Sequence, residues 1–148
     1  MKDISFGQAV STCFKKSFTF KGRATRAEYW FFVLFQWIIS IACCFGGLLV
    51  GFIFDLGAKF DILMSLFIVI PFLVMLIPSL AVAVRRLHDT GRSGFYLLLI
   101  ILGIIPIVSL VIGIVFLVIM VQPSDQNNKY GPNPYLQEYM PNIEEIEL

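Results

Sequence analysis

Three long apolar runs constrain this chain more than any other feature. They cover residues 29–54, 62–84 and 95–121, and none of them contains a charged residue. A helix needs roughly 20 apolar residues to cross the hydrocarbon core of a membrane, so each run is long enough for one crossing. The runs therefore predict an all-α membrane protein with three transmembrane helices.

The composition supports this fold class. Hydrophobic residues make up 58% of the 148-residue chain and charged residues only 14%, against about 25% charged residues in a typical soluble domain. A small soluble fold has too little interior to cover so much apolar surface. We therefore predict a single domain, residues 1–148, whose excess apolar surface is covered by lipid.

The third run allows two topologies because Pro106 lies near its middle. We favour one kinked span. The alternative is a re-entrant hairpin that turns at Pro106, but each half would hold only about 11 to 15 residues, short of the length of a full crossing.

The segment before the first run has an amphipathic helical pattern over residues 5–18. Phe6, Ala9, Val10, Cys13, Phe14 and Phe18 share one face, and Ser5 with Gln8 forms a capping-box pattern at its start. An aromatic face with lysines opposite favours a helix in the lipid headgroup region. Packing of this helix against the protein itself is the alternative.

Polar residues concentrate between the second and third runs, in residues 85–94, which we call the arginine motif. Arg85, Arg86, His88, Asp89, Arg92 and Ser93 lie there. Arginine side chains and free backbone N–H groups at a helix start both attract anions. With Arg23, Arg26 and Glu28 from the segment before the first run, they form our candidate site for an anionic lipid headgroup or an acidic partner.

Other interpretations of the arginine motif remain open. The arginines could serve only to fix orientation, with Ser93 capping a helix and Asp89 pairing with an arginine. An enzyme is disfavoured, because Asp89 is adjacent to His88 and so poorly placed to orient its ring, and no nucleophile is evident beside them. A subunit of an oligomeric transporter or channel is the alternative function, although ionisable groups are missing from the spans.

The remaining features predict no further chemistry. Cys13, Cys43 and Cys44 lack metal-ligand spacing, and we interpret them as reduced, small apolar residues. We predict no metal, no cofactor and no nucleic-acid partner, with membrane lipids, a second copy of the chain or another membrane protein as partners. The polar tail, residues 122–148, ends in an acidic stretch, Glu144–Glu147, that we expect to be disordered.

The distribution of basic residues predicts orientation. In a three-span topology, nine of the eleven lie on the side of the amino terminus, which is therefore the cytoplasmic side. The tail would then lie outside the cytoplasm, whereas the hairpin would return it to the inside.

Three stretches of the sequence resemble a known family. FKGRATRAEYWFFVLF, PSLAVAVRRLHDTGRSGFYLLL and NKYGPNP are similar to the signature blocks of the bacterial inner-membrane family called domain of unknown function 805 (YhaH-type proteins). The resemblance covers about residues 20–134 and departs only slightly, where the family has Trp or another aromatic residue at Phe95 and Tyr96.

The resemblance implies a protein of the bacterial cytoplasmic membrane and no known activity. It also implies which positions to test first: Arg23, Arg26, Glu28, Arg85, Arg86, His88, Asp89, Arg92 and Gly131. If the tail block works together with the arginine motif, both must face the same compartment, which favours the hairpin.

Overall fold

The computed structural model describes residues 4–54, 59–104 and 106–135, and for residues 100–104, 106 and 107 it describes only the backbone. The helices are α1 (Phe6–Lys15), α2 (Arg26–Ile53), α3 (Phe60–Asp89), a 3₁₀ helix (Gly94–Ile104) and α4 (Pro106–Val121). No β-strand occurs within the described ranges, so the all-helical prediction is confirmed for them. The acidic stretch expected to be disordered lies outside these ranges.

The amino-terminal helix forms as its capping pattern predicts. The Ser5 hydroxyl accepts a hydrogen bond from the backbone N–H of Gln8, and the Gln8 side chain accepts one from the Ser5 N–H. Ala9 and Cys13 are fully buried, whereas Phe6 and Phe14 remain partly exposed and contact aromatic rings of α2. Most of the predicted apolar face therefore packs on the protein, as the alternative proposed, and only Phe18 at its end is largely exposed.

The first two apolar runs become α2 and α3, the two helices in the described part of the chain that are long and apolar enough to cross a membrane. They pack closely where α2 has glycines. A Cβ atom at Gly47 would lie 2.7 Å from the Met64 sulfur, and one at Gly51 would collide with the Phe60 ring. The GxxxG spacing of these glycines thus permits the close approach that such spacing predicts.

Helix α3 extends beyond the predicted end at Val84 and includes the arginine motif as far as Asp89. Its end is a Schellman motif, in which the N–H of Arg92 bonds to the Leu87 carbonyl and the N–H of Gly91 bonds to the His88 carbonyl. Gly91 has a φ of 73°, a left-handed conformation that glycine adopts without steric cost. Arg85 and Arg86 are therefore helical residues, and the polar connection between the second and third apolar runs begins only after Asp89.

The third apolar run reverses direction, so the favoured single kinked span is wrong. Arg92 precedes the run and Gln122 follows it, yet their side chains form a 2.6 Å hydrogen bond. A continuous helix of 27 residues would hold these ends about 40 Å apart. Pro106 begins α4 instead of kinking a longer helix, because proline lacks an N–H and suits the first helical position.

Candidate functional site

Three separate segments meet at the end of α3. The N–H of Ala24, just before α2, donates to the Arg85 carbonyl at 3.1 Å, and the N–H of Asp125, in the tail, donates to the Asp89 carbonyl at 2.9 Å. Five charged side chains are buried at this junction, and we call them the charged clasp: Arg23, Glu28, Arg85, Arg86 and Asp89. The clasp brings together residues up to 66 positions apart in sequence.

Asp89 is the centre of the clasp and is fully buried. One carboxylate oxygen accepts from Arg23 Nε at 2.8 Å, and the other accepts from Arg86 Nη1 and from the Ser124 hydroxyl. Two arginines thus compensate one carboxylate. Since an unpaired buried charge is strongly unfavourable, Asp89 and its arginines depend on one another.

Arg23 connects the clasp to the tail. Besides Asp89, its guanidinium donates to the backbone carbonyls of Asp125 at 2.6 Å, Gln126 at 2.8 Å and Gly131 at 3.0 Å. A planar guanidinium offers five donors in a fixed arrangement, and a lysine could not satisfy so many acceptors at once. Arg23 is therefore the residue that holds the described part of the tail in place.

Arg86 performs the equivalent task for α4. Its Nε donates to the Met120 carbonyl at 3.1 Å and its Nη2 donates to the Gln122 carbonyl. The last carbonyls of a helix have no partner within the helix and carry its negative dipole end, so a cation stabilises them. This contact fixes the carboxyl end of α4 beside the end of α3.

Arg85 and Glu28 form the second half of the clasp beneath α1. Arg85 Nη2 donates to Glu28 Oε1 at 3.0 Å, while Arg85 Nε and Nη1 are buried without a hydrogen-bond partner among the described residues. Thr25 is the N-cap residue of α2 and forms only half of a capping box with Glu28. Thr25 accepts from the Glu28 N–H, but the Glu28 carboxylate pairs with Arg85 because burial makes this ion pair indispensable.

Cys13 of α1 covers this ion pair, with its sulfur 3.9 Å from Glu28 Oε1. Burial and the adjacent Glu28 carboxylate raise the pKa of the Cys13 thiol to about 12. A thiol with such a pKa remains protonated at neutral pH and is a poor nucleophile. Cys13 therefore acts as a small buried side chain, as the sequence predicted, and Cys43 and Cys44 are half-buried free thiols.

His88 lies at the edge of the clasp, against the tail. Its ring stacks on Tyr130 of the tail, with centroids 3.8 Å apart and planes inclined by 6°, and its Nδ1 is 3.3 Å from the Gly22 carbonyl. Asn128 donates from its side chain to the His88 carbonyl at 3.0 Å. The His88 ring thus provides the surface on which Tyr130 of the tail packs.

The other predicted site residues lie around the clasp. Arg26 is exposed and donates to the Val121 carbonyl at 3.3 Å. Arg92 is half-buried against Gln122, and the Ser93 hydroxyl accepts from the Phe95 N–H at the start of the 3₁₀ helix. The structure therefore gathers all nine predicted residues at one end of the helices, but it occupies most of their polar atoms with internal partners.

Apart from Gly131, the tail residues that contribute to this site were not predicted from the sequence. The missed residues that bond to the predicted ones are Gln122, Ser124, Asp125, Gln126, Asn128 and Tyr130. The NKYGPNP block was the available signal, because it includes two of them. Within the described ranges, no group of histidine, cysteine and carboxylate side chains could hold a metal ion.

An apolar groove lies directly beneath the clasp, between α2, α3, α4 and the 3₁₀ helix. Its volume is about 530 Å³, and its lining includes Tyr29, Gln36, Leu80, Gly113, Phe116 and Met120. The Gln36 side chain donates to the Ser79 hydroxyl at 2.7 Å, and Ser79 donates to the Met75 carbonyl. These polar groups are therefore paired with one another inside a mostly apolar surface.

Comparison with known proteins gives one family. The model of a family described as "Protein of unknown function (DUF805)" matches residues 17–132. The chain is 35% identical over 115 residues to "Inner membrane protein YhaI" of Escherichia coli (strain K12), covering 78% of this chain and 85% of the relative. It is 36% identical over 118 residues to "Inner membrane protein YhaH" of the same strain, covering 80% and 88%.

A third relative, "Uncharacterized protein YiiR" of the same strain, is 39% identical over 88 residues, covering 58% of this chain and 51% of the relative. No solved structure matches the chain. The matched family region includes the whole charged clasp and the tail contacts as far as Gly131.

Proposed function

The chain belongs to the family described as protein of unknown function (DUF805), and from that membership we propose that it is a multi-pass inner-membrane protein that binds anionic phospholipid headgroups at its cytoplasmic end. Its relatives YhaI and YhaH are inner membrane proteins by name. The proposal divides the predicted site into two parts, a buried clasp that organises the fold and an exposed basic surface that contacts lipid.

The proposed topology has two full crossings and one re-entrant hairpin. Helices α2 and α3 have 28 and 30 residues, which at 1.5 Å per residue exceeds a hydrocarbon core of about 30 Å. The hairpin is shorter: the 11-residue 3₁₀ helix rises about 22 Å and the 16-residue α4 about 24 Å. Its two halves match in length, and each is too short for a full crossing.

The cytoplasmic orientation is supported by charge. With the tail beside the clasp, nine of the ten basic residues in the described ranges lie at that end of the helices, and Lys59 alone lies at the other. Cytoplasmic segments of membrane proteins carry such an excess of lysine and arginine. The amino-terminal segment and the tail are therefore both assigned to the cytoplasm.

One observation supports lipid binding above the rest. Four of the five exposed cations described at this end, Lys15, Lys16, Lys21 and Arg26, lie between the end of α1 and the start of α2, and we call them the basic rim. Exposed aromatic side chains accompany them, including Phe18, which is 83% exposed, together with Phe20 and Trp30. Cations beside aromatic rings suit the boundary between anionic headgroups and acyl chains.

The buried arginines do not bind headgroups in this proposal. The side chains of Arg23, Arg85 and Arg86 are at most 2% exposed and are paired with Asp89 or Glu28. A headgroup could reach them only if these ion pairs opened. The arginine motif thus contributes structure, while the rim provides contact with lipid.

The test compares phosphatidylglycerol with phosphatidylcholine retained by the purified protein, measured by native mass spectrometry. Replacement of all four rim residues by Gln removes roughly 1 kcal/mol per residue of attraction to an anionic surface, and less as salt increases. The variant is expected to lose the preference for phosphatidylglycerol. Lys59→Gln, an exposed lysine at the opposite end, is the matched control and keeps it. Equal retention of both lipids by the unaltered protein would refute the proposal.

A further inference from the structure

We infer that the groove beneath the clasp holds one acyl chain of an anionic phospholipid whose phosphate binds Arg26. This inference rests on the proposed function and extends it, because it replaces a general preference for anionic lipid with one defined site. It depends on the position of the groove, on the charge at its end and on the chemistry of its lining.

The groove begins at the cytoplasmic end and runs into the apolar layer. Tyr29 and Met120 line the end next to the clasp, since Arg86 bonds to the Met120 carbonyl. Gln36 lines it seven residues farther along α2, which corresponds to about 10 Å at the rise of an α-helix. The groove therefore follows the direction that an acyl chain takes below its headgroup.

Arg26 supplies the charge at this end of the groove. It lies one helical turn before Tyr29, and its Nη1 bonds to the carbonyl of Val121, the residue after Met120. Arg26 thus bridges α2 and α4, two of the helices that flank the groove, while its side chain stays exposed. An exposed guanidinium offers several further donors, a suitable partner for a phosphate group.

The lining selects an acyl chain over a polar ligand. Gln36 and Ser79 bond to each other, and Ser79 bonds to the Met75 carbonyl, so these side chains are paired within the protein. The helix faces around the groove are lipid-exposed, with Phe72 at 62%, so the groove is entered from the bilayer. A volume of about 530 Å³ lies within the range of ligand pockets.

Gly113 provides a direct way to fill the groove. It lines the groove on α4, and a Cβ atom added there would meet no atom of the described side chains and backbone within 4 Å. Gly113→Phe therefore adds a ring at the wall of the groove, at a position where the Cβ has open space. Leu80→Trp fills the groove from α3 as a second, independent variant. Val118→Phe on the exposed face of α4 is the control of matched size.

The experiment counts phosphatidylglycerol molecules retained by each purified variant in native mass spectrometry. The unaltered protein and Val118→Phe are expected to retain one molecule at equal occupancy. Gly113→Phe and Leu80→Trp are expected to reduce that occupancy by about tenfold or more, the effect of losing at least about 1.4 kcal/mol. Arg26→Gln is expected to retain phosphatidylglycerol and phosphatidylcholine equally, because it removes the phosphate contact alone.

Two results would overturn the inference. In the first, both filled variants retain phosphatidylglycerol as the unaltered protein does. If the fourfold rim variant still loses its lipid preference, the proposed function stands and only the groove assignment fails. In the second, filling the groove converts a dimer into a monomer with lipid retention unchanged, which would identify a second copy of the chain as the occupant.

Discussion

Asp89→Asn is the change that tests the clasp most severely. The native carboxylate is fully buried and accepts hydrogen bonds from Arg23, Arg86 and the Ser124 hydroxyl. Asparagine has nearly the same shape, but it carries no charge and replaces one acceptor oxygen with a donor NH₂ group. That group would face an arginine donor, and two buried guanidiniums would lose their counterion.

The expected loss of stability follows from that geometry. Breaking a buried ion pair by removing one partner costs about 3–5 kcal/mol, and each hydrogen bond to a charged group contributes roughly 1.5–3 kcal/mol. We therefore expect Asp89→Asn to lower the free energy of unfolding by about 3–5 kcal/mol. Reversible unfolding of the detergent-solubilised protein, followed by circular dichroism, measures this loss.

The control is Asp61→Asn, which alters an exposed carboxylate at the start of α3. It is expected to change stability by less than about 0.5 kcal/mol, as surface substitutions usually do. If Asp89→Asn unfolds like the unaltered protein, Asp89 does not hold the clasp together.

Three further predictions concern the tail, the thiol and the helix contact. Arg23→Lys should release the tail, because lysine cannot bond to the carbonyls of Asp125, Gln126 and Gly131 together. The release should appear as faster tryptic cleavage at Lys129, and an unchanged cleavage rate would contradict it. In a variant that keeps Cys13 as its one cysteine, the thiol has a pKa of about 12 instead of 9.0, so its thiolate fraction below pH 9 is about a thousandfold smaller. Maleimide should therefore label Cys13 only after denaturation. Labelling of the folded protein at pH 8 would show that α1 does not bury it. Gly47→Leu should separate α2 from α3 and cost about 1–3 kcal/mol by overpacking against Met64. Gly7→Leu should not, because a Cβ there meets no atom of the described residues within 4 Å.

Local sequence patterns predicted the helices well. Apolar length defined α2 and α3 to within a few residues, and the Ser5–Gln8 pattern located the start of α1, because both signals depend on residues close together in the chain. The extension of α3 through Arg85 and Arg86 was missed. Charged residues after an apolar run normally lie in water. Arg85 and Asp89 are buried here because each pairs with a side chain far away in sequence, Arg85 with Glu28 at 57 positions and Asp89 with Arg23 at 66.

The reversal of the third run could not be predicted for a related reason. Pro106 is compatible with a kink inside one helix and with the start of a new one, and the local sequence does not distinguish them. The decision depends on distant contacts, namely Arg86 with the end of α4 and Arg92 with Gln122. The tail block that resembles the family signature was the one signal that pointed to this arrangement, and it did so without naming the contacts.

The most direct test of the account is whether the tail lies beside the arginine motif in the membrane. In a variant without native cysteines, His88→Cys and Tyr130→Cys replace two rings whose centroids are 3.8 Å apart. A short bifunctional maleimide should link them in isolated inner membranes and should leave His88→Cys with Lys59→Cys unlinked. Absence of the His88–Tyr130 link, with Tyr130→Cys labelled by an impermeant reagent from the periplasm, would contradict the account, because it would place the tail across a hydrocarbon core of about 30 Å.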